Sequence, residues 1–320
     1  MAVISSSKPS LLTAILATLA ILIALKSFVH IEPIQELNMS LARSLGLHRN
    51  RDLVLYSFFE TPEATQNFNF FLRHGLHAEA DFILMINGGH SMDLATLRYL
   101  PNVRIIEREN RCFDLGGLHE IFTNEPHLAK RYKRFMFLNA SLRGPFFPPW
   151  ANDICWSDAY WNKLDARTKI VGMTWNCANN IPLPPHVQSM ILAFDQRTLN
   201  EILLPRMKCY ESMDSAIRDG ETAMTSWVLD AGGGAYAMES RFQAHAGESG
   251  RNTTAFLDWC VGTPSNDVLH TGLWEGSSMH PYETIFTKTN RDWDERDRKT
   301  IDLLTEHVDL SGYSSYDSCR

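Results

Sequence analysis

The chain has no block of basic residues. Lys and Arg number 30 against 37 Asp and Glu, a formal net charge of -7. No cationic surface suited to a phosphate backbone is implied, and nucleic acid is excluded as an expected partner. The six cysteines never form a C-x-x-C pair, so the usual spacing of a zinc site is missing. G-x-x-x-x-G-K-[ST], H-E-x-x-H and G-x-S-x-G are absent. P-loop, zincin and serine-hydrolase chemistry therefore lack their marks. G-x-G-x-x-G is absent as well, which leaves a dinucleotide-dependent oxidoreductase unsupported. There is no internal repeat.

What is present begins with "LLTAILATLAILIAL", Leu11 to Leu25, which carries no charge. Extended to Val29 it would form about 28 Å of helix, close to the bilayer core. Lys8 precedes it and Lys26 can reach the head groups. The expectation is a cytoplasmic tail at 1–10, a transmembrane signal anchor at 11–29 and a stem at 30–50, with a cleaved signal peptide as the rival. Either reading sends the rest of the chain into the secretory lumen. The anchor makes it a single-pass type II protein of a Golgi or ER membrane. Sequons at Asn38, Asn139 and Asn252 fit that compartment. In an oxidising lumen some of the six cysteines should pair, and fifteen full pairings stay open.

From residue 51 the rhythm is α/β. "DLVLYSF", "ADFILMIN", "NVRIIERE" and "YKRFMFLNAS" are apolar, strand-like runs. "PEATQNFNFFLRHGL", "DLATLRYL" and "DLGGLHEIFTNEPHLA" between them have helical spacing. Strands alternating with helices predict a mostly parallel central sheet. Ligands of such sheets bind beyond the carboxyl ends of the strands. "TKIVGMTW" and "VQSMILAFD" are further strands, and a helix starts near Glu221. A main domain at 51–245 and a loop-rich extension at 246–320, packed on it, are expected.

Polar residues after the strands are the candidates. In "RENRCFDLGG", Asp114 can cap a helix while Gly116 and Gly117 allow close packing. Alternatively Asn110, Asp114 and the glycines form the rim of a nucleotide site at a helix start. Asn139 and Ser141 form either a capped turn or part of the same rim. Glu221, with Asp219 nearby, either complements a helix dipole or serves as a general base. His186, Gln188 and Ser189 stand at or within a strand; a lone His is commonly structural. Lys288, in "HPYETIFTK", either pairs on the surface or reaches a diphosphate.

In order, "RENRCFDLGG", "FLNASLRGPF", "VGMTWNCANNIPLPPHVQSMILAF" and "GETAMTSWVLDAGG" resemble the rhamnan synthesis protein F-like glycosyltransferases over roughly residues 52–240. The resemblance implies a GT-A-like nucleotide-sugar-binding fold. It also implies transfer of a hexosyl or deoxyhexosyl group from a nucleotide-sugar to a glycan hydroxyl. Asn110, Asp114, Gly116, Gly117, Asn139, Ser141 and Lys288 then fall on the donor side. His186, Gln188 and Ser189 fall on the acceptor side, and Glu221 is the base. Lys288 or Arg143 would meet the leaving charge. Nucleotide-sugar transferases often place Asp-x-Asp after the fourth strand to hold Mn2+ or Mg2+. Here the turn is Asn139-Ala140-Ser141, so the acid is replaced and no metal ligand is assigned. Loss of that acid also suggests the alternative of a non-catalytic glycan-binding or scaffold protein.

Overall fold

Strand β1, Asp52–Phe59, is buried along all but its last residue, as a central strand of a covered parallel sheet must be. The computed structural model describes residues 51–179, 181–263 and 267–319. The expected tail, anchor and stem, with Asn38, lie outside the described residues. The expected Golgi or ER membrane placement is corrected: among the described residues no helix is long and apolar enough to cross a membrane.

Strands β2 (Asp81–Asn87), β3 (Val103–Arg108), β4 (Arg134–Asn139), β6 (Thr168–Gly172), β9 (Ile191–Asp195) and β10 (Gly234–Ala237) complete a seven-stranded sheet. Its order is β10-β6-β9-β4-β1-β2-β3. Only β9 runs against its neighbours, pairing antiparallel with both β4 and β6; the remaining pairs are parallel. The mostly parallel α/β sheet expected from the alternation is what the chain forms. Two-stranded sheets join β5 (Leu142–Arg143) to β11 (Thr287–Lys288) and β7 (Trp175–Asn176) to β8 (His186–Val187).

Among the described residues five helices reach eight residues: α1 (Pro62–His74), α2 (Phe113–Asn124), α3 (Ala223–Asp230), α4 (Thr253–Gly262) and α5 (Glu295–Ser311). Thr61 caps α1 by accepting from the Ala64 amide, and Pro62 occupies its first position, where a missing N–H costs nothing. Phe68 and Phe71 of α1 stack near Tyr56 of β1, with centroids 5.1 and 4.6 Å away. At the amino end of the sheet Arg134 holds Asp52 by two bonds of 2.8 and 2.7 Å.

The cysteines pair as Cys112–Cys209, Cys155–Cys319 and Cys177–Cys260, one of the fifteen patterns open to the sequence. The segment 246–320 carries α4 and α5 as well as loops. It is tied back at several points. Asp309 of α5 faces both Arg73 and His74 of α1, and β11 lies along β5. That last pairing brings residues 287–291 to the carboxyl end of the main sheet.

Candidate active site

A cavity of about 320 Å³ opens beyond the carboxyl ends of β1 and β4, lined by Ser57, Asn67, Asp114, Asn139, Ser141 and others. A second, of about 330 Å³, includes Asn176, His186, Gln188, Asp267 and Arg291 in its lining. The two share one wall: Ser189, Met190, Met213, Glu221 and Lys288. A pair of ligands in the two cavities would therefore meet at that wall.

The rim of the first cavity is a chain of partnered polar groups. Ser57 Oγ donates to Asp114 Oδ1 at 2.6 Å, and Asn139 Nδ2 donates to Asp114 Oδ2 at 3.0 Å. Asn139 Oδ1 accepts from the Ser141 amide at 3.2 Å and from its hydroxyl at 2.5 Å. Asn87 Nδ2 donates to Ser57 Oγ at 3.0 Å. Thus Asp114 does not cap its helix; Cys112 occupies the cap position without a side-chain bond. Asp114 instead ties α2 to the ends of β1 and β4.

The other candidates differ in where the structure puts them. Gly116 and Gly117 are buried beside the rim, and their role in the structure is close packing. A Cβ on Gly116 would sit 3.0 Å from the Lys208 carbonyl, and one on Gly117 would sit 2.9 Å from Met85 Sδ. Asn110 is exposed and is not among the residues lining either cavity. Asp219 points away to Lys208, 3.1 Å distant and half exposed. Arg143, weighed as a leaving-charge partner, is buried. Its Nε donates to Asn67 Oδ1 at 2.9 Å, and it faces neither cavity. Burial holds its guanidinium below the usual range.

Glu221 does not open a helix, as the sequence suggested. It ends a single π-helical turn, Ile217–Glu221, between a short helix at Met213–Ala216 and α3. Ser189 Oγ donates to its Oε2 at 2.7 Å. Burial raises the carboxyl above the ordinary range; the Ser189 bond opposes this and the Asp114 charge adds to it. Ser189 and Gln188 lie in the connection between β8 and β9, where one continuous strand was expected. Gln188 is occupied structurally, accepting from Thr174 Oγ1 at 2.7 Å. His186 is fixed through Nδ1 to the Pro184 carbonyl at 2.8 Å, and burial lowers its pKa.

Lys288 belongs to the same wall. Its ammonium has no hydrogen bond or ion pair among the described residues, although it feels the charges of Glu221, Asp267, Asp114 and Arg291. Burial, then the Arg291 charge, bring its pKa down to about 8.

Several functional candidates escaped the sequence. Ser57 is the polar residue near the end of an apolar strand, a visible signal. Asn67 sits among phenylalanines on the buried face of α1. It donates to the Ala140 carbonyl at 2.9 Å and to Thr289 Oγ1 at 2.8 Å. Asp267 and Arg291, paired at 2.8 Å, gave no signal at all.

A dedicated divalent cation site needs several hard oxygen ligands around one point. Ala140 offers none, Asn139 Oδ1 is already filled twice, and both Asp114 oxygens accept protein bonds. Glu63, Asp114 and Glu221 face the cavity but do not gather within 4.8 Å of one another. The donor set does not fit a resident Mn2+ or Mg2+.

No family model and no curated protein matches the chain. Among solved structures it is similar to the mannosyltransferase PcManGT from Pyrobaculum calidifontis in complex with GDP-Man and Mn2+. Identity there is 12%, over 63% of each chain, with a TM-score of 0.38. The chain therefore spans under two thirds of that protein's length. It is also similar to the galactosyltransferase LgtC in complex with donor and acceptor sugar analogs, at 10% identity over 80% of this chain and 95% of that one, TM-score 0.37. Likenesses of that depth carry no argument about the chemistry of this site.

Proposed function

We propose that the chain is a glycosyltransferase with a GT-A-like fold, related to the rhamnan synthesis F-like group, that moves a sugar from a nucleotide-sugar to a hydroxyl of a glycan acceptor. One observation carries this reading: two cavities at the carboxyl end of an α/β sheet share a wall that holds a part-buried carboxylate and an ammonium with no partner among the described residues. The donor occupies the first cavity, against the Asp114–Asn139–Ser141 rim. The acceptor occupies the second, beside His186 and Asp267. Glu221 lies at the junction, where a general base must be.

The acceptor oxygen bonds to the anomeric carbon as the bond from that carbon to the diphosphate oxygen breaks. The hydroxyl proton passes to Glu221, and the electron pair leaves with the nucleoside diphosphate. A raised carboxyl pKa suits this role, since a stronger base takes the proton more readily. Ser189 holds Glu221 in one rotamer, and Asn67 fixes the turn at Ala140 against which the donor rests.

A thermal-shift screen of the full chain against UDP, GDP and dTDP, with CMP as control, tests the donor assignment. A ligand that binds only the folded state raises its apparent stability. A shift with one nucleotide, followed by transfer from the matching sugar nucleotide, is expected. No shift and no transfer would overturn the reading. Donor binding without transfer would favour the alternative of a non-catalytic glycan-binding protein, which Ala140 in the post-strand turn supports.

A further inference from the structure

The first cavity raises a charge problem. A nucleoside diphosphate brings negative charge to a rim that already holds Asp114, with Glu63 and Glu221 facing the same space. Asn139-Ala140-Ser141 cannot assemble the ligands of a cation to offset it. Something else in the wall has to.

One cation, Lys288, stands there, and a second, Arg291 of the same short segment, stands in the adjoining cavity. Lys288, at the end of β11, lines both cavities. Arg291 lines the second. Arg291 spends one nitrogen on Asp267 at 2.8 Å, while its Nε is buried without an acceptor. Lys288 spends nothing on any described residue. An ammonium held beside three carboxylates without closing an ion pair with any of them is placed for a ligand.

The segment is also rigid in the sense that matters for catalysis. Lys288 and Thr287 pair with Leu142 and Arg143 of β5, next to the Asn139–Ser141 turn. The Thr289 amide donates to the Ser141 carbonyl at 3.0 Å, and Asn67 reaches Thr289 Oγ1. Trp293 Nε1 donates to the Lys288 carbonyl at 2.7 Å. The backbone carrying the ammonium is thus bonded directly to the donor rim.

We propose that Lys288, supported by Arg291, takes the place of a divalent metal at this site: it binds the diphosphate and receives the charge that develops as the sugar departs, so that transfer is metal-independent. The inference rests on the glycosyltransferase reading for its catalytic half only; the anion site stands or falls separately. A fixed cation aimed where charge develops is the general device for this task. Lysine supplies it as a point charge, which suits a phosphate oxygen. Burial, then the Arg291 charge, lower the ammonium's pKa against the opposing charges of Glu221, Asp267 and Asp114, so its charge is lost as pH rises through about 8.

The test uses the full chain with inorganic pyrophosphate as probe, in EDTA. The wild type is expected to bind pyrophosphate without metal, and more weakly above pH 8. Lys288→Met should lose at least tenfold in that affinity, and Lys288→Arg should recover most of it. In the catalytic arm, transfer in EDTA should stay within about threefold of transfer with Mn2+. Lys288→Met should lower kcat by about 10²–10³, the range for removing one fixed electrostatic donor. Pyrophosphate binding that requires Mn2+, or unchanged affinity in folded Lys288→Met, overturns the inference. So does transfer that EDTA abolishes and Mn2+ restores, an arm that needs no variant to fold. Metal-free pyrophosphate binding through Lys288 with no turnover of any sugar nucleotide would keep the anion site and sink the glycosyltransferase reading instead.

Discussion

The two sides of the first cavity are built on opposite principles. On the sheet side, Ser57, Asp114, Asn139 and Ser141 bond to one another. At the wall shared with the second cavity, Glu221 has a single partner and Lys288 has none among the described residues. The first group is pre-organised and quiet, its hydrogen bonds closed on one another. The second carries displaced pKa values, raised for the carboxylate and lowered for the ammonium. The lesson is that shape and reactivity are supplied by different stretches of chain: saturated groups set geometry, and under-coordinated groups hold the free energy that a ligand can use.

Substitutions can break this contrast. The largest expected effect belongs to Glu221→Gln, which keeps an oxygen for Ser189 but removes the base. Transfer should fall by about 10²–10⁴, the usual range for a general base, with nucleotide affinity nearly unchanged. Equal turnover in a folded variant would remove Glu221 from the mechanism.

A pH profile sharpens the contrast next. Glu221 must be deprotonated and its pKa is raised, so activity should climb tenfold per unit as pH rises, up to a midpoint above the ordinary carboxylate range. Lys288 must be protonated, so activity should decline as pH passes about 8. The profile is a bell, and Glu221→Gln should erase its acid limb. A flat profile over that span would contradict both assignments.

The quiet side should respond differently. Asp114→Ala leaves the Ser57 hydroxyl and one Asn139 amide hydrogen without their acceptor, a cost of about 1–3 kcal/mol where such groups are buried. Melting should show that loss, and nucleotide affinity should drop about tenfold. Because the Asp114 charge helps to raise the Glu221 carboxyl, the acid limb should also move toward lower pH; a limb that stays in place would mean that Asp114 does not act on Glu221. The smallest effect is expected from Asp219→Ala. Its exposed pair with Lys208 stabilises by under about 1 kcal/mol, and transfer should stay within about twofold. A tenfold loss would restore Asp219 to the site.

Much of the scaffold was legible because its signals are local. The buried strand "DLVLYSF" and the Pro62-to-Gly75 helix follow from composition, periodicity and caps within a dozen residues. The π turn at Glu221 was not legible. Its one-residue expansion leaves the pattern of "GETAMTSWVLD" looking like a helix start. The break at Gln188–Ser189 was hidden for a related reason, since β8 and β9 belong to different sheets yet join in one apolar run. Helix α5 could have been found: Ile301, Leu304 and Val308 recur at helical spacing behind an Asp294 cap. The Asp267–Arg291 pair could not. It joins two loop segments 24 positions apart, and no periodic rule relates them. The outcome for the candidates follows the same line. Asp114, Asn139, Ser141, Ser189, Glu221 and Lys288 come together at one cavity, whereas Asn110 and Asp219 line neither cavity.

The antiparallel pairing of β11 with β5 has a consequence for biosynthesis. A ribosome makes the donor rim and Glu221 well before it makes Lys288. A nascent chain that has not yet extended past residue 287 has every strand of the seven-stranded sheet but lacks Lys288. The return of the later segment therefore completes the shared wall only after every strand of the main sheet has been made.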